Sequence, residues 1–307
     1  MGRNTSRLYY PAKESVASIL SVVDEFVVAL GKSDDDTQAQ LESLQSDKVK
    51  IIHTTWDTDR FPHGAEYARQ TDIAKAACSG DWLFYLQSDE VVHERFLPAI
   101  VAACERYLDD REVDGFLFGY KHFYGDYDHY NDGHGWYPHE IRIVRNNPEI
   151  HSFMDAQSFR RIPNFDGVSY RRKEGTEKLR VVKVDAEIYH YGWVRPPRLM
   201  QQKKKTFAGI YRGQASAEAE YQHRSEDFDY GNIGGLPRFE GTHPAVMADF
   251  VRRFDWASQI NYDPRYRPSR ELMKHETPRG RLITWARKHL FGGTLPVGYS
   301  NWELLKR

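Results

Sequence analysis

Between residues 25 and 124, short and nearly continuous apolar runs alternate with helix-patterned stretches, which limits the fold more than any other feature of the chain. EFVVALG ends at Gly31. The polar turn SDDDT and a short helix, QAQLESLQ, lead to KVKIIHTT, and an Ala-rich helical segment over 64–79 closing at Gly80 leads to DWLFYLQ. A strand that is apolar on both faces needs cover on both sides, so the pattern predicts a largely parallel sheet between two layers of helices. A further helix over 94–109, with Phe96, Ile100, Val101, Cys104 and Leu108 near the helical period, precedes the strand-like GFLFGYKHFY. Upstream, Pro11 opens an amphipathic helix carrying Val16, Ile19, Leu20 and Val23. A nucleotide-binding sheet normally begins with a strand, and only a few polar residues precede this helix. Either the first strand is very short or the chain starts late.

From about residue 125 the pattern changes. An aromatic, His-rich loop, GDYDHYNDGHGWYPHE, leads to a strand EIRIVR, an irregular stretch to about 177, and the long strand-like KLRVVKVDAEIYHYGW. Residues 197–225 read as a basic helix, and Pro-punctuated segments then reach the cationic helix RGRLITWARKHLF. That last helix either lies on an anionic membrane or packs Leu282, Ile283, Trp285 and Leu290 into a core, and core packing is the expectation. The runs QQKKK and RRK are expected to be solvated faces.

Charge and cysteine content narrow the function. With 43 Lys and Arg against 44 Asp and Glu, nothing favours a polyanion partner, and nucleic acid is not expected. Cys78 and Cys104 lack a second pair, so neither a disulfide framework nor a thiolate zinc site is implied, and a reducing cytoplasm fits. No apolar run approaches the roughly 20 residues of a membrane span, and the start MGRNTSRLYYP has no signal-peptide core.

The sharpest chemical signal is DWLFYLQSDEVVHE, a buried strand stopping at Asp89 and Glu90. Ligands of open α/β sheets bind at the carboxyl ends of strands, where a fixed carboxylate can hold a hard cation bridging a diphosphate. A hundred residues on, AEIYHYGW sets His190 among aromatics. Alone it reads as a packed core histidine, and with Asp89 it makes part of a shell for manganese or magnesium. SDDDT, also at a strand's end, reads either as a helix cap or as ligand carboxylates. Walker A, HExxH and GxGxxG patterns do not occur.

The ordered series EFVVALGKSDDDT, GAEYARQTDIAKAACSGDWLFYLQSDEVVHE, GWYPHEIRIVRN and AEIYHYGW covers roughly residues 15–200. It resembles family 2 glycosyltransferases, in the branch holding bacterial β-glucosyltransferases of surface-polysaccharide and lipopolysaccharide-core assembly. The resemblance implies a GT-A fold, an α/β Rossmann-like mixed sheet flanked by helices, here with a helical C-terminal extension. It implies a catalytic domain over 1–200, with nucleotide-sugar binding in 1–120 and the acceptor side in 121–200, followed by a mainly helical 201–307. The implied reaction is metal-dependent, inverting transfer from a nucleotide-diphosphate sugar to a hydroxyl of a glycan or glycolipid. The implied setting is the cytoplasm, with peripheral contact at the inner face of the membrane. A non-catalytic sugar-nucleotide or glycan-binding protein on the same fold is the alternative.

The same resemblance assigns residues. QSDE sets Asp89 at the metal-binding position of the family's acidic motif, with Ser88 beside it and Gln87 where the first Asp usually stands. An amide can bond a ribose hydroxyl but brings no charge to a cation. Arg69 matches the Arg of an ARN motif near the nucleotide, with Gln70 at its Asn. The family's base-reading Asp is replaced around Ala29 and Leu30, leaving Asp34, Asp35 and Asp36 as substitutes. His190 matches a late HYG histidine that contacts metal or diphosphate. For the catalytic base the resemblance points to Asp155, with Glu140 as competitor. On their own chemistry, Trp136, Tyr137 and Trp193 are acceptor-side candidates that either stack on sugar or pack.

Overall fold

The computed structural model describes residues 2–290 and 300–307. Helix α1 (Ala12–Ala17) leads into strand β1 (Phe26–Gly31), and α2 (Thr37–Glu42) crosses over to β2 (Val49–Thr54). β1 and β2 pair in parallel, Phe26 opposite Val49 through Gly31 opposite Thr54. Ahead of α1, Gly2 makes a parallel bridge to Leu30. Its N–H donates to the Ala29 carbonyl at 3.0 Å and its carbonyl accepts from the Gly31 N–H at 2.8 Å. Ahead of α1 the chain thus meets β1 through one bridging residue and no strand.

Helix α3 (Ala65–Ala76) is followed by short strands β3 (Trp82–Phe84) and β4 (Glu90–Val92), helix α4 (Leu97–Arg106), and strands β5 (Gly115–Tyr124) and β6 (His139–Arg145). A hairpin of β7 (Ile150–Phe153) and β8 (Ser158–Arg161) precedes the long β9 (Glu177–Trp193). The second sheet runs β3-β6-β5-β9-β8-β7, with β4 also on β9. The expectation of a largely parallel sheet is corrected here: β5 lies parallel to β9, whereas β3–β6, β5–β6, β4–β9, β7–β8 and β8–β9 are antiparallel. Apolar runs record burial, which extends to both faces for β1 and β5, and burial does not fix direction. The link from β5 to β6 is a loop without a crossover helix, which permits an antiparallel return. The main core packs Ile19, Ile100, Phe116, Phe118 and Ile188 between helices and sheet.

After β9 come α5 (Pro197–Arg212), α6 (Gln214–Tyr221), α7 (Ala248–Arg252), α8 (Pro278–Leu290) and β10 (Trp302–Leu304), the last pairing in parallel with β9. The basic helix expected over 197–225 is broken at Gly213, whose φ of 88° suits glycine. Much of the aromatic content is core: Phe123, Tyr127 and Tyr191 pack with Met247, Phe250 and Trp256, and Tyr124 packs with Phe228 and Tyr230. α8 does not pack as expected. Leu282, Trp285 and Leu290 are 64%, 52% and 62% exposed, because the face turned inward carries Gly280 instead.

Candidate active site

The turn after β3 is fixed from below by a buried ion pair. Glu90, fully buried, accepts from Arg142 Nε at 2.9 Å and Nη2 at 2.8 Å, from the Tyr120 hydroxyl at 2.8 Å and from the Gln87 N–H at 3.1 Å. Arg142 also donates to the Ile141 and Gln157 carbonyls, so both buried charges are saturated with hydrogen bonds. Asp89 is thereby presented on a rigid turn while its neighbour Glu90 serves as the anchor.

Strand pairing explains how residues a hundred positions apart meet. β4 runs antiparallel to β9 with Glu90 opposite His190, and the Tyr191 N–H donates to the Asp89 carbonyl at 2.8 Å. β5, on the other side of β9, sets His122 beside His190. His122 Nε2 donates to the Tyr137 carbonyl at 2.8 Å, which leaves its Nδ1 to accept from His190 Nδ1 at 3.0 Å. Burial, and then His190, hold His122 well below the usual imidazole range, consistent with that neutral role. His190 consequently turns Nε2 toward Asp89 Oδ2, 3.6 Å away. Gly192 makes the space: a Cβ there would stand 2.5 Å from His190 Nε2 and 2.6 Å from Asp89 Oδ2.

A third residue joins this pair from α5, in the QQKKK run expected to be solvated. Lys203 is only 7% exposed; its Nζ donates to Asp89 Oδ2 at 3.2 Å and to the Gly192 carbonyl at 2.8 Å. It lies over the rings of Tyr10 and Phe207, at 4.9 and 5.4 Å from their centroids. Burial disfavours both charges. At Asp89, Lys203 and then His190 outweigh it and hold the carboxyl well below its usual range, while burial pulls the Lys203 ammonium down. Its signal in the sequence was helical phase, since Met200, Lys203, Phe207 and Tyr211 fall on one stripe of α5.

Asp155 sits at the tip of the β7–β8 hairpin between Met154 and Ala156, at φ 59° and 61°. Two non-glycine excursions into left-handed backbone, one on each side of a carboxylate, are the kind of strain that clusters at functional sites. The Tyr211 hydroxyl donates to Asp155 Oδ2 at 2.5 Å, and Gln87 Nε2 donates to the Ala156 carbonyl at 3.2 Å. Asp155 is thus tied to α5 and to the QSDE turn together.

Two cavities meet here. The first, of about 890 Å³, is bounded by Arg3, Asn4, Trp56, Ser88, Asp89 and Asp155 among others. The second, of about 1770 Å³, carries His190, Lys203, Trp136 and Trp193. Gln87, Asp89, Tyr137, Phe207 and Tyr211 line both. Trp56, which sequence reasoning missed, packs against Gly31, where a Cβ would come within 2.4 Å of the indole nitrogen. Its Nε1–H has no partner, leaving a donor beside the first cavity.

Other expected site residues stand apart from these cavities. Asp35 accepts from the Arg7 N–H and from Thr37, and Asp34 pairs with the Arg7 side chain at 3.1 Å, so these carboxylates brace the N-terminal loop; Asp36 is exposed on the same turn. None of the three lines either cavity. Arg69 is held by Glu66 at 2.9 Å and bonds the Thr55 carbonyl, facing a separate surface hollow. Glu140, 1% exposed, accepts from Ser158, Ile141 and Gln157 under the hairpin and lines neither cavity.

The implied divalent ion does not fit this arrangement. Asp89 and His190 do approach, yet the carboxylate oxygen nearest His190 already accepts from the Lys203 ammonium, and Gln87 contributes no charge. Among the described residues, no group of three or more His, Cys, Asp or Glu side chains could hold a metal ion. Hard dications require more oxygen ligands than one shared carboxylate offers.

No curated protein matches the sequence at a significant level. Among solved structures, that of S. aureus TarS is similar over 71% of this chain at 13% identity and a TM-score of 0.37, and this chain spans 40% of its length. TarS 1-349 in complex with UDP is similar over 70% of this chain and 69% of its own, at 12% identity and a TM-score of 0.33. The sequence profile of Glycosyl transferase family 2 matches residues 11–167, which include Asp89, Glu90, Glu140 and Asp155. The chain is therefore a member of glycosyl transferase family 2.

Proposed function

We propose that the chain moves a sugar, with inversion at the anomeric carbon, from a nucleoside-diphosphate donor whose base lies in the first cavity to a hydroxyl of a glycan or glycolipid acceptor, the reacting groups meeting at the residues that the two cavities share. Residues 1–200 form the transferase domain in this reading, and 201–307 close its acceptor side through α5. Asp155 takes the proton from the acceptor hydroxyl as that oxygen attacks, and the C–O bond to the diphosphate breaks with its electron pair leaving on the phosphate oxygen. Trp136, Tyr137 and Trp193 offer faces for sugar rings, and Trp56 offers one for the base. The observation that carries the reading is that Asp155, on a strained tip, and Asp89, on a pinned turn, line one cavity that opens into a second, aromatic one.

The test is a screen of UDP-, GDP- and TDP-sugars for hydrolysis and transfer, followed by Asp155→Asn. That change keeps size and the Tyr211 contact but removes proton acceptance, so turnover should fall about a hundredfold or more with donor affinity little changed. Near-normal transfer by Asp155→Asn would remove the base from this hairpin.

Acceptors carried on lipid would suit α8. Leu282 and Trp285 are exposed on a helix that also carries exposed Arg279 and Arg281, a combination that favours the surface of an anionic bilayer. Co-sedimentation with phosphatidylglycerol vesicles should be lost in a Leu282→Ser, Trp285→Ser variant; equal binding by both proteins would sink this placement.

A further inference from the structure

We propose that Lys203 is the cation that meets the departing diphosphate, so that transfer proceeds without a divalent metal ion. The inference rests on the transferase reading above and deepens it. It starts from the misfit at Asp89: the position where a cation would join Asp89 Oδ2 and His190 Nε2 already has a positive charge beside it. Lys203 Nζ is 3.2 Å from that carboxylate oxygen.

Lys203 is held in place as a fixed group. Its two hydrogen bonds, to Asp89 and Gly192, leave the third N–H of the ammonium for a ligand. It lines the cavity that carries His190, Lys204 and Trp193, and the Asp89 carboxylate to which it donates lines both cavities. The rings of Tyr10 and Phe207 confine its stem. Behind it lies Arg195, which is fully buried, donates to the Leu8 carbonyl at 2.5 Å and stacks 4.4 Å from the Tyr10 centroid. Lys203 and Arg195 set two fixed cations against the single charge of Asp89, which gives the site a positive field before any ligand enters. Gln87 fits the same account. With an amide where a second carboxylate would stand, the site keeps the negative charge low, as suits phosphate binding by side chains and not through a bridging ion.

In the transfer step the acceptor oxygen forms its bond to the anomeric carbon as the bond from that carbon to the β-phosphate oxygen breaks. The acceptor proton goes to Asp155, the electron pair goes to the diphosphate, and Lys203 keeps its own protons, donating a hydrogen bond to the oxygen on which charge gathers.

The test compares wild type, Lys203→Arg and Lys203→Met in EDTA and in manganese. It reads binding of UDP, GDP and TDP by calorimetry, and turnover of the donor found by the sugar-nucleotide screen. Wild type should bind its nucleoside diphosphate and turn over equally well in both conditions. Lys203→Met should weaken that binding about tenfold or more and lose turnover, and Lys203→Arg should retain a measurable part of both. The proposal is overturned if EDTA abolishes wild-type turnover and manganese restores it, or if Lys203→Met binds and turns over as wild type does. Should Lys203→Met fail to fold, the chelator arm on wild type and the Lys203→Arg protein decide the matter alone. Absence of both binding and turnover in wild type under every condition would instead reject the transferase reading; metal dependence would reject only the role given to Lys203.

Discussion

Glu140 unites two properties that point in opposite directions. Its carboxyl is pushed up to about 7, a value that suits a group accepting protons at neutral pH. Yet it is 1% exposed and lines neither cavity. Burial is the leading cause of the rise, opposed by Arg142 and by hydrogen bonds from Ser158, Ile141 and Gln157. If the carboxyl is structural, its cost appears in stability and not in turnover. Below its ordinary value of 4.5 it is protonated in both folded and unfolded chains, and nothing is lost. As the pH rises from there toward 7, the unfolded chain releases the proton while the folded one keeps it, so stability falls until the pH passes the folded value. That interval corresponds to about 3 kcal/mol.

Glu140→Gln removes the titration and keeps an oxygen that can accept from Ser158 and the Ile141 N–H. Urea unfolding of both proteins at intervals from about pH 4.5 to 8 isolates this group, since other titrating residues are common to the two curves. The variant should gain on wild type by about 3 kcal/mol across the interval, while its turnover stays within severalfold of normal. Parallel curves would refute the burial argument. A folded Glu140→Gln protein that binds donor without transferring sugar would return Glu140 to the role of base.

Three further outcomes test the architecture of the site. Gly192→Ala drives a methyl between His190 Nε2 and Asp89 Oδ2, so calorimetry should show nucleoside-diphosphate binding lost or weakened at least about tenfold; unchanged binding would dissociate that pair from the ligand. Arg142→Met strands the carboxylate of Glu90 in the core and should cost about 3–5 kcal/mol in urea unfolding, with part recovered in the Arg142→Met, Glu90→Gln double variant. No recovery would mean that Arg142 acts through its other contacts. Trp56→Ala should weaken donor binding by about 1–3 kcal/mol if the indole stacks on the base, and an unchanged affinity would move the base elsewhere in the first cavity.

How far the sequence revealed the fold depended on where apolar residues continue without a break. β5 matches GFLFGYKHFY closely because a long strand buried on both faces leaves an unmistakable apolar record, and β9 matches the KLRVVKVDAEIYHYGW run, which alternates in its first half and is buried through Ile188–Gly192. The β7–β8 hairpin left none. IHSF and SFRR are short and partly polar, and their turn places Met154 and Ala156 in left-handed backbone where glycine or asparagine would have announced it. α8 misled in the reverse sense, since Leu282 and Trp285 suggested a core face and the helix packs through Gly280 and its neighbours.

At the site, the legible residues are those whose chemistry agrees with their local pattern. Asp89 follows the apolar run WLFYL and His190 interrupts a strand, so each stood out; Lys203 did not, because a lysine among lysines reads as surface and only its helical phase with Met200, Phe207 and Tyr211 separates it from Lys205. The profile match ends at residue 167, and both groups that contact the Asp89 carboxylate, His190 and Lys203, lie beyond it. This bears on how the cation question can be settled. Asp89→Asn would damage the site whether the carboxylate orients a lysine or binds a metal, since either partner loses its counter-charge. Loss of activity in that variant therefore cannot discriminate between the two, and the decisive variables are the chelator and the charge at position 203.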